Sequence, residues 1–217
     1  MSAQPVIVLG AGGNCRDVID AMLDVNDHAD SPVFEPLGYL DDDPDKWGTI
    51  LGGYPVLGPL SSVDDWPHAQ FIDGLNGVSL TSRKASILAG LGLPRERFAT
   101  VVHPSSTLSR MSSIGAGTVL LPGVTVSSNA TIGDHVLVLP GTVISHDDVV
   151  GDYCYLAPGV ILAGYVTLGA SVYVGARAAV SHRVSIGAGA VVGIGSVVLR
   201  DVAPGTTVVG APARVLR

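Results

Sequence analysis

A histidine followed at once by two carboxylates, His146-Asp147-Asp148, is the residue pattern in this chain best suited to moving a proton. Neutral imidazole accepts a proton near pH 7, and a carboxylate beside it fixes its tautomer and stabilises the imidazolium that forms. His146 would be the general base and Asp147 its orienting carboxylate. Asp148 reads as a turn residue, because Val149-Val150-Gly151 resumes the surrounding repeat immediately. From these residues alone, His146 also reads as an exposed corner histidine without a task. A second candidate is the turn Gly10-Ala11-Gly12-Gly13-Asn14, which follows the apolar strand Val6–Leu9 and precedes a helix with Val18, Ile19, Met22 and Leu23 on one side. Amides at such a helix end face an anion. The dinucleotide fingerprint G-x-G-x-x-G is not completed, since Cys15 stands where its last glycine belongs. Nucleotide binding and a tight structural turn both remain open. The strand Pro36–Leu40 ends in Asp41-Asp42-Asp43. These carboxylates suit donor groups on a base or ribose, or form a solvated acidic turn like Asp45, Asp64 and Asp65.

The elements that must position His146 follow from a repeat. From Val102 to Val198, every sixth residue is Val, Leu or Ile, without a slip in register. The next residue is often glycine (Gly115, Gly133, Gly151, Gly169), and the fourth position is small or β-branched (Thr118, Val124, Ala130, Val136). Period six suits neither an α-helix nor an ordinary amphipathic strand. It predicts a three-sided coil of 18 residues, each side a short strand with one large aliphatic inward and each corner a Gly, Asn or Asp. Stacked at ~4.8 Å, seventeen hexads make between five and six coils. His146 and His182 then share one edge, two coils and about 10 Å apart, with Arg110, Ser128, Gly164 and Arg200 in the same column. His103 and His135 fall elsewhere, so no trio of histidines converges and no metal site is expected. Gly164 is one coil from His146. Its bare backbone could donate an N–H to a developing oxyanion, or it is simply a corner glycine. Cys154 occupies a small inward position like Val136 and Val160, which points to core packing.

Composition separates two halves. The chain has 217 residues, of which 47% are hydrophobic and 5% aromatic, with 28 glycines and a net charge of −7. So apolar a chain can bury a core and is not disordered. Two cysteines cannot make a disulfide scaffold, and the acidic balance argues against a nucleic-acid partner. Mean hydropathy is +0.46, yet no apolar run approaches the ~18 residues of a membrane span. The start, MSAQPVIVLGAGG, has no basic region of a secretory signal. A cytoplasmic protein is expected. Residues 1–100 hold 14 acidic against 6 basic residues, all three Phe and both Trp; residues 101–217 hold 5 against 6. The expected domains are therefore 1–100, 101–203 and a tail, 204–217, that covers the far end of the coil.

The repeat and the ending Val209-Gly210-Ala211-Pro212-Ala213-Arg214 resemble the left-handed parallel β-helix acyltransferases. G-A-G-G-N and G-Y-L-D-D, placed ahead of such a helix, resemble the PglD/NeuD/PerB family of sugar acetyltransferases over nearly the whole chain. The resemblance implies an α/β Rossmann-like N-terminal domain followed by a left-handed β-helix. It implies acetyl-CoA-dependent N-acetylation of the amino group of a UDP- or GDP-linked amino deoxysugar, for surface polysaccharide or glycan synthesis. O-acetylation of a sugar such as sialic acid is the alternative within the class, and a non-catalytic β-helix scaffold the alternative outside it. The resemblance places Gly10, Gly12, Gly13 and Asn14 at the nucleotide's phosphate or sugar, and Asp41 and Asp42 near its base. It makes His146 the base and puts Tyr155 at acetyl-CoA, with Asn14 and Tyr155 standing where the family often has His. Arg183 and Arg214 are the favoured cations for the CoA phosphates, chosen from Arg110, Arg177, Arg183, Arg200, Arg214 and Arg217. It also implies a homotrimer with active sites between protomers, a nucleotide-activated sugar as partner, no metal and no membrane insertion.

Overall fold

The structure, a computed structural model, describes residues 3–216. Its first part is a five-stranded sheet in the order β3-β4-β2-β1-β5. The strands are β1 (Gln4–Leu9), β2 (Phe34–Leu40), β3 (Ile50–Leu51), β4 (Tyr54–Gly58) and β5 (Gln70–Asp73). All pairings are parallel except the short edge pair β3–β4. Helix α1 (Gly13–Asp27) joins β1 to β2, and α2 (Val78–Gly90) follows β5. The chain leaves β1 toward β2 on one side while β5 lies on the other. Strand β1 therefore has β2 on one side and β5 on the other, the strand order found at switch points of open α/β sheets. Arg217, one of the cations weighed above, lies outside the described residues.

From Val101–Val102 to Val197–Val198 the chain makes seventeen two-residue strands. Each pairs in parallel with the strand 18 residues away, as in Thr125↔Val143 and Val143↔Ile161. The period-six aliphatics point inward: Leu120, Val126, Ile132, Val138 and Ile144 are at most 2% exposed and share one core with Val124, Ala130, Val136 and Cys154. The tail continues one face of the prism with Thr207–Val209 in parallel and Arg214–Val215 antiparallel.

The corners correct the expectation of Gly, Asn or Asp. The left-handed residue lies three places after each aliphatic from Ile114 to Val192. Gly117, Gly123, Asn129, Gly141 and Asp147 fit, but His135, Tyr153, Tyr165, Ser171, Arg177 and Arg183 also take φ between 55° and 62°. Their N–H groups donate across coils, for example Tyr165 to the His146 carbonyl at 3.1 Å and Arg183 to the Gly164 carbonyl at 3.1 Å. Those bonds offset the ~1–2 kcal/mol that a non-glycine residue loses in this conformation. The glycines directly after the aliphatics have another role. A Cβ on Gly151 would lie 2.8 Å from the Ala170 nitrogen, so they permit close stacking of coils.

One prism face carries the α/β part. Val119, Leu121, Leu137, Leu139, Tyr155 and Ala157 pack in one buried cluster with Cys15, Val18, Ile19 and Met22 of α1. A buried ion pair adds to this seam: Lys84 Nζ is 2.8 Å from Asp73 Oδ2, off the hydrogen-bonding direction, and donates to the His135 carbonyl at 2.9 Å. Among the described residues, no helix is long and apolar enough to cross a membrane.

Candidate functional site

His146 sits at the vertex between the two prism faces that do not touch the α/β part, just after the strand Val143–Ile144. Its side chain is 54% exposed, and Nδ1 lies 2.9 Å from Asp147 Oδ2. With Asp147 ionised, Nδ1–H donates and Nε2 is left with a free lone pair. Asp147 is held below the ordinary carboxylate range, first by the His146 bond and then by Asn129, whose amide donates to Oδ1 at 3.2 Å. Gly164 stacks on the imidazole: a Cβ there would come within 3.1 Å of Cε1 and Nε2. Any larger residue would press on the ring. The Gly164 N–H has no partner among the described residues, a property it shares with the corner residues Ser128 and His146 of its column. What distinguishes Gly164 is the bare backbone beside an imidazole nitrogen. His182 is exposed one coil further on.

Asp148 turns inward and is fully buried. It accepts the Ser145 N–H at 2.7 Å and the Val166 N–H at 2.8 Å, tying two coils beneath the histidine. Burial pushes its carboxyl up to about 6, against the two amides that favour the ionised form. A folded-state value above the unfolded one means that the folded chain holds the proton longer. The contribution is complete below the ordinary carboxylate range and is lost as pH rises to about 6, a difference of at most about 3 kcal/mol. Asp148→Asn, which gives up one acceptor, is expected to melt below the wild type at pH 4, with the gap narrowing by pH 7. A gap independent of pH in thermal melts contradicts this.

The Gly-rich turn is organised from the end of β2. Asp41 Oδ2 accepts the Ala11 N–H at 2.7 Å and Oδ1 the Asp43 N–H at 2.9 Å, while Lys46 Nζ reaches Oδ2 at 3.0 Å. Burial alone would raise the Asp41 carboxyl, but these bonds hold it below its ordinary value. Asp42 instead accepts the Leu60 N–H at 2.9 Å. Gly12 and Gly13 are exposed at the start of α1. Cys15 fills the place of the missing glycine because close packing is transferred to the neighbouring loop: a Cβ on Gly74 would be 2.6 Å from the Cys15 Sγ. Burial pushes both thiols, Cys15 and Cys154, up to about 12, so neither is a nucleophile at neutral pH.

Asn14 and Tyr155 meet directly, Nδ2 to hydroxyl at 3.2 Å, and Tyr155 stacks on Tyr173 with ring centroids 4.9 Å apart. They lie on the face covered by α1. One chain therefore does not bring Gly10, Asn14, Asp41 and Tyr155 to the His146 vertex. Arg183 lies over the Tyr165 ring, 4.8 Å from its centroid. Arg214 is exposed at a cleft of about 310 Å³ between the last coil and the tail. Beside the histidine column stands a second one, Asn129-Asp147-Tyr165-Arg183, of which the sequence reading singles out only Asp147 and Arg183. Its 18-residue spacing was the available signal for Asn129 and Tyr165.

Residues 111–146 and 129–164 match the bacterial transferase hexapeptide (six repeats) family. No curated protein matches the chain in sequence. Among solved structures, the acetyltransferase domain of PglB from Neisseria gonorrhoeae in complex with acetyl coenzyme A is 24% identical, with a TM-score of 0.84 over 99% of this chain and 100% of that one. PerB from Caulobacter crescentus, in complex with CoA and GDP-perosamine, is 26% identical, with a TM-score of 0.84 over 98% and 97%. WeeI from Acinetobacter baumannii is 29% identical, with a TM-score of 0.81 over 97% and 99%. The hexapeptide match and the parallel sheets fit a left-handed β-helix.

Proposed function

We propose that this chain is a member of the PglD/NeuD/PerB-type family of hexapeptide-repeat sugar acetyltransferases and that it transfers an acetyl group from acetyl-CoA to the amino group of a nucleotide-linked amino deoxysugar. The observation that carries the reading is the His146–Asp147 pair, with its free imidazole nitrogen against the bare corner at Gly164. The amine attacks the thioester carbonyl and the CoA thiolate leaves. His146 Nε2 takes the proton that the nitrogen must lose, and Asp147 stabilises the imidazolium. The Gly164 N–H is the donor for the carbonyl oxygen as charge develops on it.

The α/β part, Rossmann-like in its parallel sheet and Gly-rich turn, would hold the nucleotide over Gly10, Gly12, Gly13 and Asn14. PerB, 26% identical over 98% of the chain, was solved with GDP-perosamine and supports a nucleotide sugar. Asp41 accepts the Ala11 and Asp43 N–H groups and the Lys46 ammonium, which gives it a part in shaping the turn. Because the turn and the His146 vertex lie on opposite sides of one prism, a complete site needs a second copy. Exposed aliphatics on the two free faces, Val149 at 43% and Ile161 at 47%, support such packing. A homotrimer of this kind would place the vertex of one protomer against the Asn14–Tyr155 seam of the next, with Arg183 and Arg214 as cations along the groove for CoA.

Ligand binding to the folded state raises its stability. Acetyl-CoA at about 100 times its Kd should add about 2.7 kcal/mol, visible as a rise in melting temperature, and either UDP or GDP should add a separate rise. No rise with any of the three rejects the reading in favour of a scaffold.

A further inference from the structure

Tyr165 is a bulky residue in a backbone conformation that suits glycine, with φ of 55°. It follows the glycine that stacks on His146, and its ring meets the imidazole edge-on, with centroids 5.2 Å apart and planes at 86°. Such T-shaped pairs are attractive and directional. The contribution of Tyr165 to keeping the Asp147 carboxylate ionised is the smallest, after those of His146 and Asn129. On the other side, the Arg183 guanidinium lies 4.8 Å from the ring centroid, a cation–π contact that holds the phenol in place. Asn129, Asp147, Tyr165 and Arg183 occupy successive coils of one corner, spaced by 18 residues. The ladder is continuous: Asn129 on one carboxylate oxygen, His146 on the other, Tyr165 above, Arg183 above that.

We propose that Tyr165, braced by Arg183, is a positioning residue that fixes the ring plane and the tautomer of His146 through the imidazole edge and the Asp147 carboxylate. The inference rests on His146 being the proton acceptor. Without the ring, the half-exposed imidazole would rotate about its side-chain bonds, and its Nδ1–H bond to Asp147 would compete with water. Both nitrogens would then carry the proton part of the time. Arg183 is engaged on the tyrosine face, so its charge is set one coil above the site. The groups facing the imidazole are Asp147, Tyr165 and the backbone at Gly164, with Asp148 buried beneath, Arg183 beyond the tyrosine, and His182 further along the edge.

The test reads the tautomer directly, without a sugar substrate. Full-length protein labelled with ¹⁵N-histidine is examined at pH 8.5, with the His146 signals assigned by their loss in His146→Gln. In the wild type, Nδ1 is expected to carry the proton. Tyr165→Gly suits the backbone at this corner and should fold; it is expected to show both tautomers, with acetyl transfer reduced about tenfold, less than the roughly 10²–10⁴-fold loss expected on removing the base itself. Tyr165→Phe keeps the ring contact and is expected to recover most of the wild-type tautomer signature. A wild-type signature in Tyr165→Gly overturns the proposal, whatever happens to the rate. Failure of the base assignment is a separate result: His146→Ala retaining full acetyl transfer, which leaves the tautomer measurement readable.

Discussion

His146→Ala is expected to lower kcat/KM for acetyl transfer about 10²–10⁴-fold, the usual contribution of a positioned general base. The fall should lie mainly in kcat, because the alanine removes a group that acts as charge develops and leaves the prism intact. His146 is half-exposed and contributes nothing to the inward aliphatic stack. The melting temperature of His146→Ala should therefore stay near that of the wild type. Asp147→Asn should cost less than His146→Ala, since an amide still meets the imidazole nitrogen but no longer stabilises an imidazolium. Release of CoA thiol, followed with acetyl-CoA and the amino sugar nucleotide, measures all three chains. The wild-type rate should fall at acid pH for two reasons. An imidazolium cannot accept a proton, and an ammonium cannot attack a thioester. Retention of full kcat/KM in His146→Ala removes the base from the mechanism. The depth of the loss also separates the two acetylation chemistries. A hydroxyl attacks only with its proton leaving and needs the base throughout, whereas a neutral amine can attack first and lose its proton afterwards.

The prism was legible because one physical demand repeats in it. Each inward position of a narrow three-sided coil accepts one aliphatic, so Val102 to Val198 could be placed without a neighbour's help. The columns followed from the 18-residue coil, which is why His146 and Gly164 could be paired before any geometry was known. The corners were harder to read. Expected sites for Gly, Asn or Asp hold Tyr165 and Arg183, because hydrogen bonds between coils offset a strain that local preference counts in full. Tyr165 has no meaning in its own segment; it acquires one only against Asp147, 18 residues earlier. Asp41 illustrates a different limit. Its type and place at a strand end suggested donor groups of a ligand, but the Ala11 amide and Lys46 take its oxygens first. In the sequence, Asn14 and Tyr155 are two distant and separate departures from a histidine. Their contact at 3.2 Å shows that the two positions face each other across the seam between the two parts of the chain.

Lys84→Met is expected to destabilise the fold by about 3–5 kcal/mol, the cost of leaving a buried charge without its partner. Lys84 and Asp73 have side chains 0% and 1% exposed, with Nζ 2.8 Å from Oδ2. Asp73 Oδ1 is committed to the Leu75 N–H at 2.8 Å, so Oδ2 has only the ammonium for compensation. Methionine fills the space of the lysine stem and leaves the carboxylate bare. It also removes the bond from Nζ to the His135 carbonyl, which fastens α2 to the prism. Asp73→Asn combined with Lys84→Met should recover much of the loss, because the amide oxygen can still accept the Leu75 N–H and no charge remains. The coupling between the two substitutions, read from chemical denaturation at pH 7, is the decisive quantity. If the pair contributed only packing, the double variant would be less stable than Lys84→Met. A loss below about 1 kcal/mol in Lys84→Met, the range of exposed pairs, would mean that water reaches the carboxylate. A lysine on a polar stretch of helix gives no sign of this role in sequence, since solvent-facing lysines look the same. The ion pair becomes visible only when α2 is laid against the end of β5 and the His135 corner. That placement makes the junction sensitive to a single substitution at a residue outside the hydrophobic cores.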